Sequence, residues 1–188
     1  MPTSVDLKHL TYETYLALPE MTQRYAILDG ELVMAAAPNP MHQTIVLELA
    51  LKLTLFVRAH HLGRVFIAPL DVIVQREPLR TRQPDLLFIT RAHSSIIGSQ
   101  VIEGGPDLVV EVLSPANSRQ EVQDKLYDYQ IIGVREAWII SPEARTVEVL
   151  QITPERRRRS GLYGLEDMII SHVLADLHLT VDEIFPEF

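Results

Sequence analysis

Two carboxylates and one lysine sit where such groups are costly. Asp85 opens the run Pro84-Asp85-Leu86-Leu87-Phe88-Ile89, Glu111 lies inside Leu108-Val109-Val110-Glu111-Val112-Leu113, and Lys125 follows on a helical stretch. A buried carboxylate is unfavourable unless it is paired or holds a metal. Side chains alternate along a strand, so Asp107, Val109, Glu111 and Leu113 share one face. If the two apolar runs are neighbouring strands, Asp85 and Glu111 converge on one sheet surface. Hard oxygen ligands of this kind suit magnesium or manganese. A bound cation would polarise a phosphodiester and lower the pKa of an attacking water, and a lysine ammonium beside it could orient that water or neutralise transition-state charge.

The elements that must position these groups are legible from periodicity. Residues 11–18 read as a short helix ended by Pro19. Residues 24–28 and 31–35 read as strands around Asp29-Gly30, a strong hairpin signal. Residues 41–60 are the clearest helix, with Ile45, Val46, Leu49, Leu53, Phe56 and Val57 on one apolar stripe. His42 falls on that stripe and is expected to be buried. Glu48 falls off it and is expected to be exposed, pairing with Lys52 at i,i+4. Residues 65–74 read as one strand bent at Pro69. Residues 86–89 and 108–113 read as strands covered on both faces. The polar connection 90–105 between them has room for a short helix near 94–97. A second helix is expected over 119–132, opened by a capping box of Ser118 and Glu121 and stopped by Gly133. Its inward stripe is Val122, Lys125, Leu126, Tyr129 and Ile132, with Asp124 and Asp128 pointing elsewhere. Residues 136–140 and 146–152 read as two further strands joined through Pro142-Glu143-Ala144-Arg145. The tail 177–188 is apolar enough to dock on the body.

Composition bounds the rest. A chain of 188 residues with 47% hydrophobic content is long enough to build a core, and one domain spanning 1–188 is expected. There are no cysteines, which removes disulfides and thiolate metal sites. No apolar stretch is long enough for a spanning helix and the start lacks a signal-peptide pattern, so a soluble cytoplasmic protein with no membrane partner is expected. The net charge of −8, from 25 acidic and 17 basic residues, counts against tight metal-free binding of nucleic acid. It leaves room for a site whose field a cation inverts.

Plainer roles compete at each position. Asp85 could cap a turn after Pro84, Asp107 reads as a strand-start turn residue, and Lys125 could snorkel to the surface. Asp71 is a weaker third acid. The run Arg156-Arg157-Arg158-Arg159 reads as a solvated loop, and Trp138 and Tyr129 read as core.

Several segments together carry a resemblance: residues 25–34 (YAILDGELVM), His42, Gln83-Pro84-Asp85-Leu86-Leu87-Phe88, the run 106–115 (PDLVVEVLSP), Lys125, Tyr129, Gly133-Val134 and Glu136-Ala137-Trp138-Ile139. With them the chain resembles the Uma-two family, bacterial proteins grouped with restriction endonucleases. The resemblance implies the PD-(D/E)XK nuclease fold, a mixed central sheet flanked by helices, here preceded by the N-terminal helix and hairpin. It implies Asp85 and Glu111 as the metal-binding acids. The common motif places a lysine two residues after the Glu, where this chain has Leu113; the family carries it on the next helix, matching Lys125. For the acid that usually comes from a helix, Glu48 is on the wrong face and Glu31 is the better choice, with His42 beside it in the cleft.

The expectation is therefore a magnesium-dependent (or manganese-dependent) endonuclease acting on DNA, with catalytic Asp85, Glu111 and Lys125 and a homodimer plausible. One alternative is a nuclease-fold module that binds nucleic acid or protein without turnover, which Leu113 and the acidic net charge favour. Another is a hydrolase of small phosphoesters.

Overall fold

A computed structural model describes residues 9–18, 24–34 and 37–185. The helix α1 (Tyr12–Leu16) starts where the Thr11 hydroxyl accepts the Thr14 N–H. The hairpin follows as β1 (Tyr25–Leu28) and β2 (Glu31–Met34), with Leu28 opposite Glu31 across the Asp29-Gly30 turn. Gly30 sits at φ +84°, a conformation that side chains disfavour. Pro19 and Ala35, expected to bound these elements, lie outside the described residues.

The long helix α2 (Pro40–Ala59) begins at Asn39, whose side chain accepts the His42 N–H at 2.8 Å, with Pro40 in the first turn where its missing N–H costs nothing. It buries His42, Ile45, Leu49, Leu53 and Val57. Glu48 is half-buried rather than exposed, and Lys52 pairs with Glu183 at 2.9 Å instead of with Glu48. The C-terminal tail packs against α2 and offers Lys52 a carboxylate in place of its helical neighbour.

The single strand expected over 65–74 is two strands in different sheets. They are β3 (Gly63–Ile67) and β4 (Val72–Arg76), and the latter pairs with β5 (Leu79–Arg82), an element sequence reading missed. Pro69 lacks the N–H that a continuing ladder needs, so the chain leaves the sheet there. Next come β6 (Leu86–Thr90), a short 3₁₀ turn over Arg91–Ile96 and β7 (Leu108–Val112). Then follow α3 (Arg119–Ile131), β8 (Glu136–Ser141), β9 (Thr146–Ile152) and β10 (Arg157–Tyr163). The arginine run 156–159, read as a loop, largely belongs to β10, an edge strand where outward charge also discourages pairing with another sheet.

Strand order in the six-stranded sheet is β10-β9-β8-β7-β6-β3. Only β7 and β8 run parallel, and α3 is the crossover between them. One sheet face packs on α2 and the tail through Leu86, Phe88, Val110, Trp138, Ile140 and Phe185. The other packs on α3 through Leu87, Ile89, Val109, Ile139, Leu126 and Tyr129. A third apolar cluster joins α1 to the two hairpins through Tyr15, Ile27, Ile73 and Leu79. The tail docks through Leu177, Leu179, Val181, Ile184 and Phe185; residues 186–188 lie outside the description.

Two polar details depart from expectation. Ser118 caps α3 by accepting the Glu121 N–H at 3.1 Å, but the Glu121 carboxylate accepts from Asn117 rather than closing a capping box. Asp128, expected to face away, is buried on the side of α3 that meets the β4–β5 hairpin. Its oxygens accept Arg80 Nε at 2.9 Å and Arg82 Nε at 2.6 Å. The hairpin covers that flank of the helix, so the "polar side" of α3 became an interior. Removing one partner of a buried ion pair strands the other charge, so Asp128→Ala should cost about 3 kcal/mol. That corresponds to a fall in Tm of roughly 6–12 °C for a chain of this size. Calorimetry showing no change would mean that the arginines do not tether the hairpin through Asp128.

Candidate active site

Strands β6 and β7 pair antiparallel with Leu86 opposite Val110 and Leu87 opposite Val109. One step further along the same register sets Asp85 opposite Glu111. Directly opposed residues share a sheet face with Cβ atoms about 5 Å apart. Both are almost wholly buried, Asp85 at 4% exposure and Glu111 at 5%.

Each acid has its own neutralising cation. Asp85 Oδ1 accepts Arg24 Nη1 at 2.7 Å, and Oδ2 accepts the backbone N–H of Val112 at 2.8 Å. His42 Nε2 lies 3.2 Å from the same Oδ2, so that nitrogen carries the proton the carboxylate accepts. Glu111 Oε2 accepts Lys125 Nζ at 2.7 Å, and Oε1 accepts the Tyr129 hydroxyl. Burial alone would raise Asp85. The His42 hydrogen bond, Arg24 and the Val112 N–H outweigh burial and hold its carboxyl below the usual value. Burial pulls Lys125 down, but the Glu111 charge and hydrogen bond, with smaller help from Asp85, leave it raised. Burial and Glu111 push the Tyr129 hydroxyl well above its ordinary range. At neutral pH Asp85 is therefore ionised, Lys125 an ammonium and Tyr129 a neutral phenol. A small cavity at the start of α3 is lined by Glu111, Leu113, Asn117, Lys125 and Tyr129.

The other expected residues fall as follows. His42 on α2 is buried and in the site. Glu31 is exposed at the turn end of its hairpin, while Arg24, which reaches Asp85, stands at the opposite end; the strands between separate Glu31 from the acids. Asp107 is at the far end of β7, where it accepts the Thr90 N–H at 2.7 Å and meets His93 and Arg135. Tyr129, read as core, contributes its hydroxyl to Glu111. Arg24 was missed altogether. The only signal for it was a lone charge at the entrance of an apolar hairpin.

Can these groups hold a cation? Among the described residues no three His, Asp or Glu side chains gather into a cage. Magnesium does not require one, since it keeps several waters and is commonly bound by one or two carboxylates plus substrate phosphates. Buried polar atoms without partners also collect here: Arg24 Nε, His42 Nδ1, Gln83 Oε1 and Asp71 Oδ1. Arg24 and His42 touch Asp85, the Gln83 backbone carbonyl accepts Arg24, and Asp71 accepts the Tyr15 hydroxyl at 2.6 Å. Burial raises Asp71, against the Tyr15 hydrogen bond. Such orphans are unfavourable by about 1–3 kcal/mol each, and those on Arg24 and His42 adjoin Asp85.

Comparison with known proteins gives the family and the fold. The Uma2 family, described as "Putative restriction endonuclease", matches residues 12–182. A crystal structure of "a putative nuclease belonging to DUF820" from Anabaena variabilis superposes with a TM-score of 0.76 at 21% identity, covering 94% of this chain and 97% of that one. At that identity the likeness establishes the fold, which is restriction-endonuclease-like. No curated protein matches the chain in sequence.

The Asp85 ion pairs give a signed pH dependence. Its carboxyl titrates lower in the fold than in the unfolded chain, where the value is about 3.9. Its charge therefore stabilises the fold above that pH, and the contribution drains as pH falls through the lower folded value. Asp85→Asn should lose about 2 kcal/mol at neutral pH. The gap to wild type should hold from about pH 7 to 5 and close below about pH 4. Denaturant titrations with a gap unchanged down to the acid limit would mean that Asp85 is not an ionised partner in the fold.

Proposed function

Because this chain belongs to the Uma2 family, we propose that it is a metal-dependent endonuclease hydrolysing phosphodiester bonds of DNA. The observation that carries the proposal is the opposition of Asp85 and Glu111 on adjacent strands, each already matched to a removable cation. Asp85 and Glu111 would hold magnesium or manganese, supplying phosphate polarisation and a more acidic water.

The chain's own residues do the remaining work. With Asp85 and Glu111 holding a divalent cation, Arg24 and Lys125 would be released from pairing with them and would be available to the phosphodiester. Lys125 neutralises charge developing on the phosphate or orients the attacking water. Arg24, planar and always charged, presents parallel N–H donors to phosphate oxygens. His42 holds Asp85 in place from α2, and Tyr129 does the same for Glu111 from α3. The reading takes DNA as partner and the cytoplasm as location, with no membrane involved; among the described residues no helix is long and apolar enough to cross one.

A second reading, a binding module without turnover, draws on the same ion pairs. Acids fully neutralised by Arg24 and Lys125, with Leu113 where a lysine commonly stands, would make a stable inert site.

Magnesium titration combined with plasmid nicking separates the two. Wild type should nick only with a divalent cation. Glu111→Gln should lose cation affinity and at least about 100-fold in nicking. Lys125→Met should lose nicking on a similar scale while binding magnesium as well or better, because a competing positive charge has gone. Arg24→Gln should likewise tighten magnesium. Wild-type-like nicking by Glu111→Gln would place the chemistry elsewhere, and a wild type inert under every divalent metal would favour the binding module.

A further inference from the structure

The solvent face of α2 carries three leucines in one row. Leu47, Leu51 and Leu55 are 67%, 54% and 60% exposed. Their i,i+4 spacing makes a continuous ridge about 12 Å long, diametrically opposite the buried row of His42, Ile45, Leu49 and Val57. Single exposed leucines are ordinary, but an aligned apolar ridge rimmed by polar residues marks an interface. The rim here is Thr44, Glu48, Thr54 and Arg58.

We propose that this ridge is the interface of a twofold dimer, with α2 packed antiparallel against α2 of a second copy and Leu51 on the axis. The pattern is self-complementary, as a twofold contact requires. Leu51 meets its own counterpart, and Leu47 meets the partner subunit's Leu55. The charges agree as well. Among the described residues neither Glu48 nor Arg58 makes an ion pair within the chain. Antiparallel packing about Leu51 sets the partner subunit's Arg58 level with Thr44, one turn from Glu48. A helical side chain leans toward its own N-terminus, which in the partner points toward Glu48. The same operation brings each copy's unpaired Glu48 to the other's unpaired Arg58.

Sedimentation equilibrium tests the dimer without reference to cleavage, so failure of the nuclease reading leaves the result intact. Wild type should be dimeric at micromolar concentration. Leu51→Lys should be monomeric over the same range with unchanged circular dichroism and Tm, because Leu51 has no place in the core. Arg58→Glu should weaken the dimer about tenfold or more, and adding Glu48→Arg should restore it. A wild type monomeric up to about 100 µM, well above the micromolar range typical of a modest interface, would overturn the proposal and leave the ridge to another occupant. So would a dimer that Leu51→Lys leaves intact. Failure of Glu48→Arg to rescue Arg58→Glu would overturn the antiparallel register.

Discussion

A carboxylate buried at the end of a sheet must have a cation within reach, and the β6–β7 pairing sets two such carboxylates side by side. Much of the molecule answers that demand. Arg24 comes from the entrance of the first hairpin, His42 from the first turn of α2, and Lys125 and Tyr129 from α3. These contributors lie far apart in sequence and on both sides of the sheet, so the two acids act as the knot between the layers. The opposite flank of α3 repeats the device, with the acid on the helix and two arginines on the β4–β5 hairpin.

The same constraint explains how a structural knot can also be a site. Arg24 and Lys125 keep part of their side chains exposed while the acids are buried. The cations can therefore swing out to solvent, whereas the carboxylates, fixed by a backbone N–H and a buried tyrosine, cannot. On the proposed reading, a divalent ion would take the place of these side-chain cations at the two carboxylates.

How far the sequence reveals this depends on whether a feature is local. The helices α2 and α3 and the apolar strands β6 and β7 announce themselves through periodicity, and Asp85 and Glu111 stand out because they interrupt apolar runs. The convergence of Lys125 follows from its place on an inward helical stripe. Features created by another element's arrival are not legible. Asp128 reads as outward until the β4–β5 hairpin covers it. Lys52 reads as a helical partner of Glu48 until the tail brings Glu183. Residues 65–74 read as one strand because β propensity is continuous there, although Pro69 interrupts the ladder. Glu31 follows an attractive motif, but hairpin register sends it to the turn end and brings Arg24 to the acid instead. The leucines of α2 escape a search for core faces because they occupy the other face.

Fold and family rest on the match over residues 12–182 and on the superposition with the Anabaena protein. The proposed chemistry requires that a metal exchange for the side-chain cations at Asp85 and Glu111. Anomalous diffraction from a crystal soaked in manganese tests that exchange most directly. A peak touching both carboxylates, with Arg24 and Lys125 withdrawn from them, is the predicted result. Contradiction would be a manganese-saturated crystal in which both acids keep their Arg24 and Lys125 pairs and no metal lies between them.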